Sequence, residues 1–459
     1  MRQLQHHKTR ARRWRKACAA VGITLLLSAC GGGGGSATDA GATSASCSVA
    51  AQKNWLRDYM NEWYFWYRTS PSPDPAAYAS VDSYFGALLF TGDTVFPRDR
   101  YSGSGSTAGF TQFFEEGKTL GYGLFVAGAE VIGRPDQPLR VRYVEALSDA
   151  ATQGIARGDE ILTINGRSAA DIIRASDFAA LTPAHVGDTL ALQLRGASGT
   201  RTLTLTASTY ALTPVSLASV ATTSGGRPMG YLFVKDMVSQ TAPGLAAAFE
   251  QFRAAGITEL ALDLRYNGGG LVSVGAELAS YIAGVSRNAQ TYASLLYNDK
   301  RAPANNATFR FGLPSAALDL RRVFVLMGPR TCSASEQLIS GLRGIGVEVV
   351  TIGATSCGKP VGFLPKDNCG TTFSVVNFES VNARNEGRYF DGLAPACPVP
   401  DDLGHALGAV DEALLASARG YADSGKCGNA AASMADAPAV RARLRSGMEP
   451  GERGVTLPR

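Results

Sequence analysis

Three apolar runs in the second half of the chain each stop at a stretch of chemically distinctive residues. Nothing else in the sequence constrains the fold as much. Leu260 to Leu264 runs into Arg265-Tyr266-Asn267-Gly268-Gly269-Gly270. Arg321 to Met327 is followed by Thr331-Cys332-Ser333-Ala334-Ser335-Glu336, and Val347 to Gly353 leads to Gly358-Lys359. Short apolar runs of this length read as buried strands. Between them lie helical patterns: Ala242 to Ala255 puts Leu245, Phe249 and Phe252 on one face, and a helix-like run follows at Gln337 to Leu342. Strands alternating with helices imply a mixed α/β sheet whose sites sit at strand ends.

The residues at those strand ends carry chemistry. Ser333 stands at a helix start, where free backbone N–H groups and positive partial charge face a developing oxyanion. Lys359, 26 residues on, can act as a base if an apolar site lowers its pKa. Glycines at 268–270 let backbone approach a substrate closely. The chain has four histidines, His6, His7, His185 and His405. The first two lie in a leader, and the other two read as surface or helix-cap residues. A histidine-rich metal site is nearly excluded, so no metal and no cofactor is expected. Lysine is the better candidate base for a serine nucleophile.

In this order and spacing, the three stretches resemble the C-terminal processing peptidases, or tail-specific proteases. That family carries an L-R-x-N-x-G-G segment, then an S-A-S-E nucleophile segment, then a G-K segment with the base lysine. The resemblance implies Ser333 as nucleophile and Lys359 as general base. It implies an oxyanion hole from the N–H of Ala334 with that of Gly268 or Gly269. Glu336 reads as a cap or partner within its own helix, Ser335 as the fallback nucleophile, and Arg265 as a tie from the glycine loop to a carboxylate. A base lysine must be neutral, so burial among Val361, Phe363 and strand residues is expected to depress its pKa below about 10.4. The implied fold is α/β and multidomain: an N-terminal helical segment, a PDZ-like β-rich module and a mixed α/β, crotonase-like catalytic domain.

The chain opens with a leader. Arg2, Lys8, Arg10, Arg12, Arg13, Arg15 and Lys16 precede an apolar run from Ala17 to Leu27, with no acid. Leu27-Ser28-Ala29-Cys30 then resembles a lipoprotein signal, with Cys30 lipidated after cleavage. The run is too short for a comfortable membrane span. This predicts a protein of the bacterial cell envelope, lipid-anchored and facing the periplasm, with the outer membrane favoured over the inner. Removing residues 1–29 takes seven basic and no acidic residues from totals of 44 and 39, so the formal net charge moves from +5 to −2. The basic balance belongs to the leader, and no nucleic-acid partner is inferred. Residues 30–46 are small and glycine-rich, a flexible tether.

Eight cysteines occupy positions 18, 30, 47, 332, 357, 369, 397 and 427. Six remain after the leader and the lipidated residue are set aside, which favours disulfides in an oxidising compartment. Six cysteines allow 15 pairings. If Ser333 and Lys359 meet in space, Cys332 and Cys357 lie near one another and can bridge. Cys357–Cys369 is the rival.

Residues 47–108 form an N-terminal helical region: Trp55, Tyr59, Trp63 and Trp66/Tyr67 recur near every 3.6 residues, until Pro71, Pro73 and Pro75 break the helix. Val81 to Phe90 is a second amphipathic segment. Asp99-Arg100-Tyr101-Ser102 resembles the D-x-Y-S turn that precedes the binding module in this family. Residues 109–208 resemble a PDZ domain. Leu120-Gly121-Tyr122-Gly123 stands where the carboxylate-binding loop belongs, and Arg157-Gly158-Asp159-Glu160 feeds a strand and an Asn165-Gly166 hairpin. Residues 209–425 are the catalytic domain, and 426–459 a loosely ordered tail.

The sequence departs from the family near its base. Many members carry glutamine four residues after the lysine, where this chain has Phe363, and glycine directly after it, where this chain has Pro360. Lysine orientation must come from elsewhere, or activity is weak. The expected function is a lipid-anchored periplasmic serine endopeptidase acting on unstructured C-terminal tails through an acyl-enzyme. Two other classes remain: a non-catalytic peptide-binding scaffold, and a carrier of apolar ligands.

Overall fold

The computed structural model describes residues 47–127, 131–428 and the pair 455–456. The leader, Cys30, the tether and nearly all of the C-terminal tail lie outside the described residues.

Helix α1 (Val49–Trp63) starts at Ser48, whose Oγ accepts the Ala51 N–H at 3.2 Å. It stops sooner than its aromatic periodicity suggests. Tyr64 turns extended and gives its hydroxyl to Asp99 at 2.6 Å, while the Phe65 N–H bonds the Val376 carbonyl at 2.8 Å. Trp66 and Tyr67 therefore leave the helix; tertiary bonds outcompete the local repeat. Helix α2 (Val81–Leu88) begins with a reciprocal Ser80–Ser83 capping box. The two helices bury Leu56, Tyr64, Tyr84, Phe85 and Phe90 against Val361, Phe363, Phe373 and Phe390 from the other end of the sequence. Cys47–Cys369 joins the same regions covalently.

Five strands form the core of a β-rich module: β1 (Leu124–Val126), β2 (Leu139–Val144), β3 (Glu160–Ile164), β4 (Thr189–Gly196) and β5 (Gly199–Thr206), neighbours in sequence order. Leu190, Leu192 and Leu194 alternate inward with Leu205. Asn165 and Gly166 both have positive φ, as a two-residue hairpin requires, and Arg167–Ser168 pairs back on β3.

The larger sheet has the order β6 (Val215–Thr222), β7 (Pro228–Val234), β8 (Glu259–Asp263), β11 (Arg322–Met327), β12 (Glu348–Gly353) and β15 (Cys397–Pro398). Only β6–β7 is antiparallel. Its register aligns Leu232, Leu262 and Val325 across three strands. One face packs on α3 (Thr241–Ala254), α4 (Val272–Ala283) and α5 (Ala334–Gly344); the other carries Tyr231, Phe324 and Ile352 against Leu414, Leu415 and Ala418 of α6 (Ala413–Ser424). Burial on both faces is why these strands read as unbroken apolar runs. A second sheet, β10 (Ala307–Arg310), β9 (Thr291–Tyr297), β14 (Val376–Val381) and β13 (Val361–Phe363), was not legible in the sequence. Val455–Thr456 pairs in parallel with β13. No helix among the described residues is long and apolar enough to cross a membrane.

Candidate active site

The parallel strands β8, β11 and β12 each end in a functional loop, and the three loops converge. Leaving β11, Thr331 gives its hydroxyl to the Leu264 carbonyl at 2.7 Å, and the Cys332 N–H bonds the Asn267 carbonyl at 3.1 Å. Ser333 follows with φ 62° and ψ −115°, a backbone conformation that non-glycine residues rarely adopt. Such strain costs about 1–3 kcal/mol and persists only where surroundings enforce it. Helix α5 begins directly after it.

Glu336, one turn into α5, does the enforcing. Its Oε2 accepts the Ser333 N–H at 2.9 Å and the Lys359 N–H at 2.8 Å. Its Oε1 accepts the Gly358 N–H at 2.8 Å and the Ser356 hydroxyl at 2.5 Å. One oxygen thus holds the main chain of both dyad candidates. Glu336 does cap its own helix, as expected, but it also reaches across to the lysine loop. Burial pushes its carboxyl above the ordinary range, partly opposed by the hydrogen bonds from Ser356, Lys359, Ser333 and Gly358. The Cys332–Cys357 disulfide closes the same junction, with a Cα–Cα distance of 5.2 Å. The remaining pair is Cys397–Cys427. Cys332, Cys357 and Glu336 have the chemistry of metal ligands and lie within 4.8 Å of one another. Both thiols are spent in the bridge and the carboxylate already serves four donors, so this donor set does not fit a metal.

Lys359 is 4% exposed. Its Nζ lies 4.1 Å from the Phe363 ring centroid and 6.0 Å from that of Tyr101. Gly358 before it has φ +83°, and a Cβ there would sit 2.3 Å from the Phe390 carbonyl oxygen, so only glycine fits.

The glycine loop after β8 lies against the serine. A Cβ on Gly269, which has φ +100°, would fall 2.9 Å from the Ser333 Cβ and 2.8 Å from the Ala334 nitrogen. The Gly269 N–H is donated to Asn267 Oδ1 at 2.8 Å, which leaves Gly268 as the loop's candidate oxyanion donor. Ser335 gives its hydroxyl to the carbonyl and Oδ1 of Asn267, at 3.1 and 2.9 Å, so it braces the loop. Asn267 had no role in the sequence reading; nothing in its residue type marks it as the hub where Val234, Gly269, Cys332 and Ser335 meet.

Arg265 is buried between Asp263, Glu412 and Asp401, with a 2.7 Å bond to Glu412 Oε1. Asp401 also takes Arg157 of the β-rich module at 2.7 Å, and Tyr266 donates its hydroxyl to Asp401. Burial would raise the Asp401 carboxyl, but Arg265 and Arg157 outweigh it and hold it at about 2. His405 sits beside Asp402 at 2.7 Å, and both it and His185 are exposed.

Leu120, Gly121, Tyr122 and Gly123 line a cavity of about 390 Å³ in the β-rich module. Tyr266 and Arg330 form another part of its wall, so the cavity runs toward the loops that carry Ser333.

Residues 228–375, including Ser333 and Lys359, match the model of peptidase family S41, and residues 51–103 match the peptidase S41 N-terminal domain. Two segments of the chain are thus similar to domains of peptidase family S41. It is 26% identical over 266 residues to the carboxyl-terminal-processing protease of Picosynechococcus sp., covering 57% of this chain and 60% of that one. It is 27% identical over 216 residues to the chloroplastic carboxyl-terminal-processing peptidase 1 of Arabidopsis thaliana, covering 46% and 42%. The chain thus spans about half the length of these relatives. The fold is also that of a crystal structure described as an S41 protease from Bacteroides fragilis: TM-score 0.63, 24% identity, 81% of this chain and 97% of that one.

Proposed function

We propose that this S41 chain is a serine endopeptidase in which Ser333 attacks the scissile carbonyl and Lys359 takes its proton. The single observation that carries the reading is the Glu336 carboxylate. One buried oxygen accepts the main-chain N–H of both residues, which fixes two distant segments at one point. In this reading Lys359 enters neutral, becomes an ammonium as Ser333 bonds the carbonyl carbon, and passes the proton to the leaving amine. The N–H groups of Ala334 and Gly268 stabilise the oxyanion. Water then hydrolyses the acyl-enzyme by the same base. Glu336 is a positioning residue and stays out of proton transfer.

The substrate in this reading is a protein or peptide with an unstructured C-terminal tail, its carboxylate held by the Leu120–Gly123 loop of a PDZ-like module. The enzyme is anchored by lipid on Cys30, facing the periplasm. A fluorophosphonate probe tests the chemistry: wild type is labelled, and Ser333→Ala and Lys359→Ala lose labelling while still folding. Equal labelling of Ser333→Ala would overturn the assignment and point to another nucleophile, Ser335 first; a wild type that is not labelled would favour a non-catalytic scaffold.

A further inference from the structure

The lysine loop poses a problem. Lys359 must be aimed at Ser333 by something, and the side-chain amide expected four residues on is replaced by a phenyl ring. The surroundings of Lys359 supply another device. Phe363, 1% exposed, presents its ring to Nζ at 4.1 Å, well inside the range of a cation–π contact. Tyr101 presents a second ring at 6.0 Å, near the limit of that range. Tyr101 is fixed on two sides: its hydroxyl donates to the Gly358 carbonyl at 2.6 Å, and its N–H bonds Asp99 Oδ1 at 2.8 Å. Arg100 packs 4.8 Å over the Tyr101 ring and donates to the Phe390 carbonyl at 2.9 Å. Phe363 in turn belongs to the aromatic core that the N-terminal helices build. Tyr101 is thus tied both to its own turn and to the carbonyl beside the lysine, and Phe363 is seated by the N-terminal helices.

We propose that Phe363 and Tyr101 form an aromatic clamp that positions Lys359 and stabilises the ammonium as it forms. The inference rests on Lys359 being the base. A π face has little hold on a neutral amine but attracts the cation. The clamp therefore favours the state in which Lys359 has taken the Ser333 proton, which is the state reached in the transition state. It also assigns work to the 99–102 turn and the helices before it, since they deliver one ring and seat the other. Several charged or titratable groups lie near the lysine loop. Glu336 bonds its main chain, Arg100 packs on the Tyr101 ring, and Glu379, opposite Val361, is paired with Arg388 at 2.8 Å. Tyr389, coupled to Glu336 and Tyr101, is kept neutral by burial.

The test is the pH dependence of the fluorophosphonate labelling rate in the full chain. Replacing Phe363 by leucine keeps the site apolar and removes the π face. The midpoint of the rate–pH curve should fall by about one unit, and the alkaline plateau by about tenfold. Phe363→Gln supplies an amide instead and should recover most of the plateau. Tyr101→Phe keeps the ring but loses the bond to Gly358, and should lower the plateau with little movement of the midpoint. A lowered plateau with an unmoved midpoint in Phe363→Leu would mean packing alone, and would overturn the clamp. Should Phe363→Leu not fold, a ring-fluorinated phenylalanine incorporated at 363 keeps the shape and weakens the π face; an unchanged midpoint there overturns the clamp equally. Lys359→Ala separates the two ideas. If that variant still labels with the wild-type pH curve, the base assignment itself fails; if it is silent while Phe363→Leu keeps the wild-type midpoint, only the clamp fails.

Discussion

Replacing Glu336 by glutamine changes one atom and should be costly, because each carboxylate oxygen serves two donors. The amide can sit two ways. With its oxygen in the Oε1 place, its NH2 faces the amides of Ser333 and Lys359, and both lose their acceptor. With its oxygen in the Oε2 place, the NH2 faces Ser356 and Gly358 instead. The Ser356 hydroxyl can turn and accept, as it already does from the Leu393 N–H at 2.7 Å, so only Gly358 is orphaned. The second arrangement is the cheaper. One buried orphan N–H costs about 1–3 kcal/mol, and two bonds that lose charge assistance weaken by about 1 kcal/mol each. Against this, glutamine has no charge to desolvate, and the raised pKa of Glu336 shows that burial of the charge is a real cost. The net expectation is about 3 kcal/mol lost in urea unfolding at pH 7 with the m-value unchanged. Fluorophosphonate labelling should also slow more than tenfold, because the Gly358–Lys359 main chain is no longer pinned to Ser333. A loss under 1 kcal/mol with wild-type labelling would refute the idea that this carboxylate holds the two segments together.

Cys332→Ala with Cys357→Ala, which leaves the other two disulfides in place, should slow labelling and lower stability by about 3–4 kcal/mol, the loop-closure value for a separation of 25 residues; binding of peptides should be untouched, as calorimetry with the variant and wild type would check. Asp401 has its folded pKa held at about 2, below its ordinary 3.8. Its contribution is therefore present above pH 4 and lost as pH falls toward 2, and Asp401→Asn should flatten stability across that window. The full shift would be worth about 2.5 kcal/mol, but the side chain is 37% exposed and screening reduces this to about 1 kcal/mol. Glu336 runs the other way, its contribution declining as pH rises through its raised value. Peptides with free C-termini and apolar last residues should be bound and cleaved in preference to their amidated forms; equal treatment of both would remove carboxylate capture. Cys30→Ser should release the mature protein from membranes in a salt wash, and continued attachment would rule out the lipid.

The strands that deliver the site were legible because burial on both faces writes them as continuous apolar runs, and each ends in residues with distinctive chemistry. Ser333, Lys359 and Gly268–Gly270 could be singled out as candidates for that reason. Local pattern failed where tertiary partners decide. The α1 repeat continues through Trp66 in sequence, yet Asp99 and Val376 end the helix at Trp63. In the second sheet β9 and β14 lie far apart in the chain, and the connections between β9 and β10 and between β13 and β14 are too long to give a tight-hairpin signal. Glu336 was visible as a cap, but its grip on Gly358 and Lys359 depends on a loop more than 20 residues away. Asn267 stood in the L-R-x-N-x-G-G segment without a role, because Val234, Cys332 and Ser335, which it bonds, lie in other segments, and Asp401, which Arg157 reaches, is 244 residues away from it.

Cys47 and Cys369 are 322 residues apart, and their bond makes that stretch of the chain a closed ring. Ser333 and Lys359 both lie inside the ring, as does the whole β-rich module. A cut at any one exposed loop between those cysteines would open the ring without releasing a fragment. The nicked protein would travel as one band until reductant is added, then as two. Under oxidising conditions, a single self-inflicted or foreign cleavage in that interval cannot carry away half of the site.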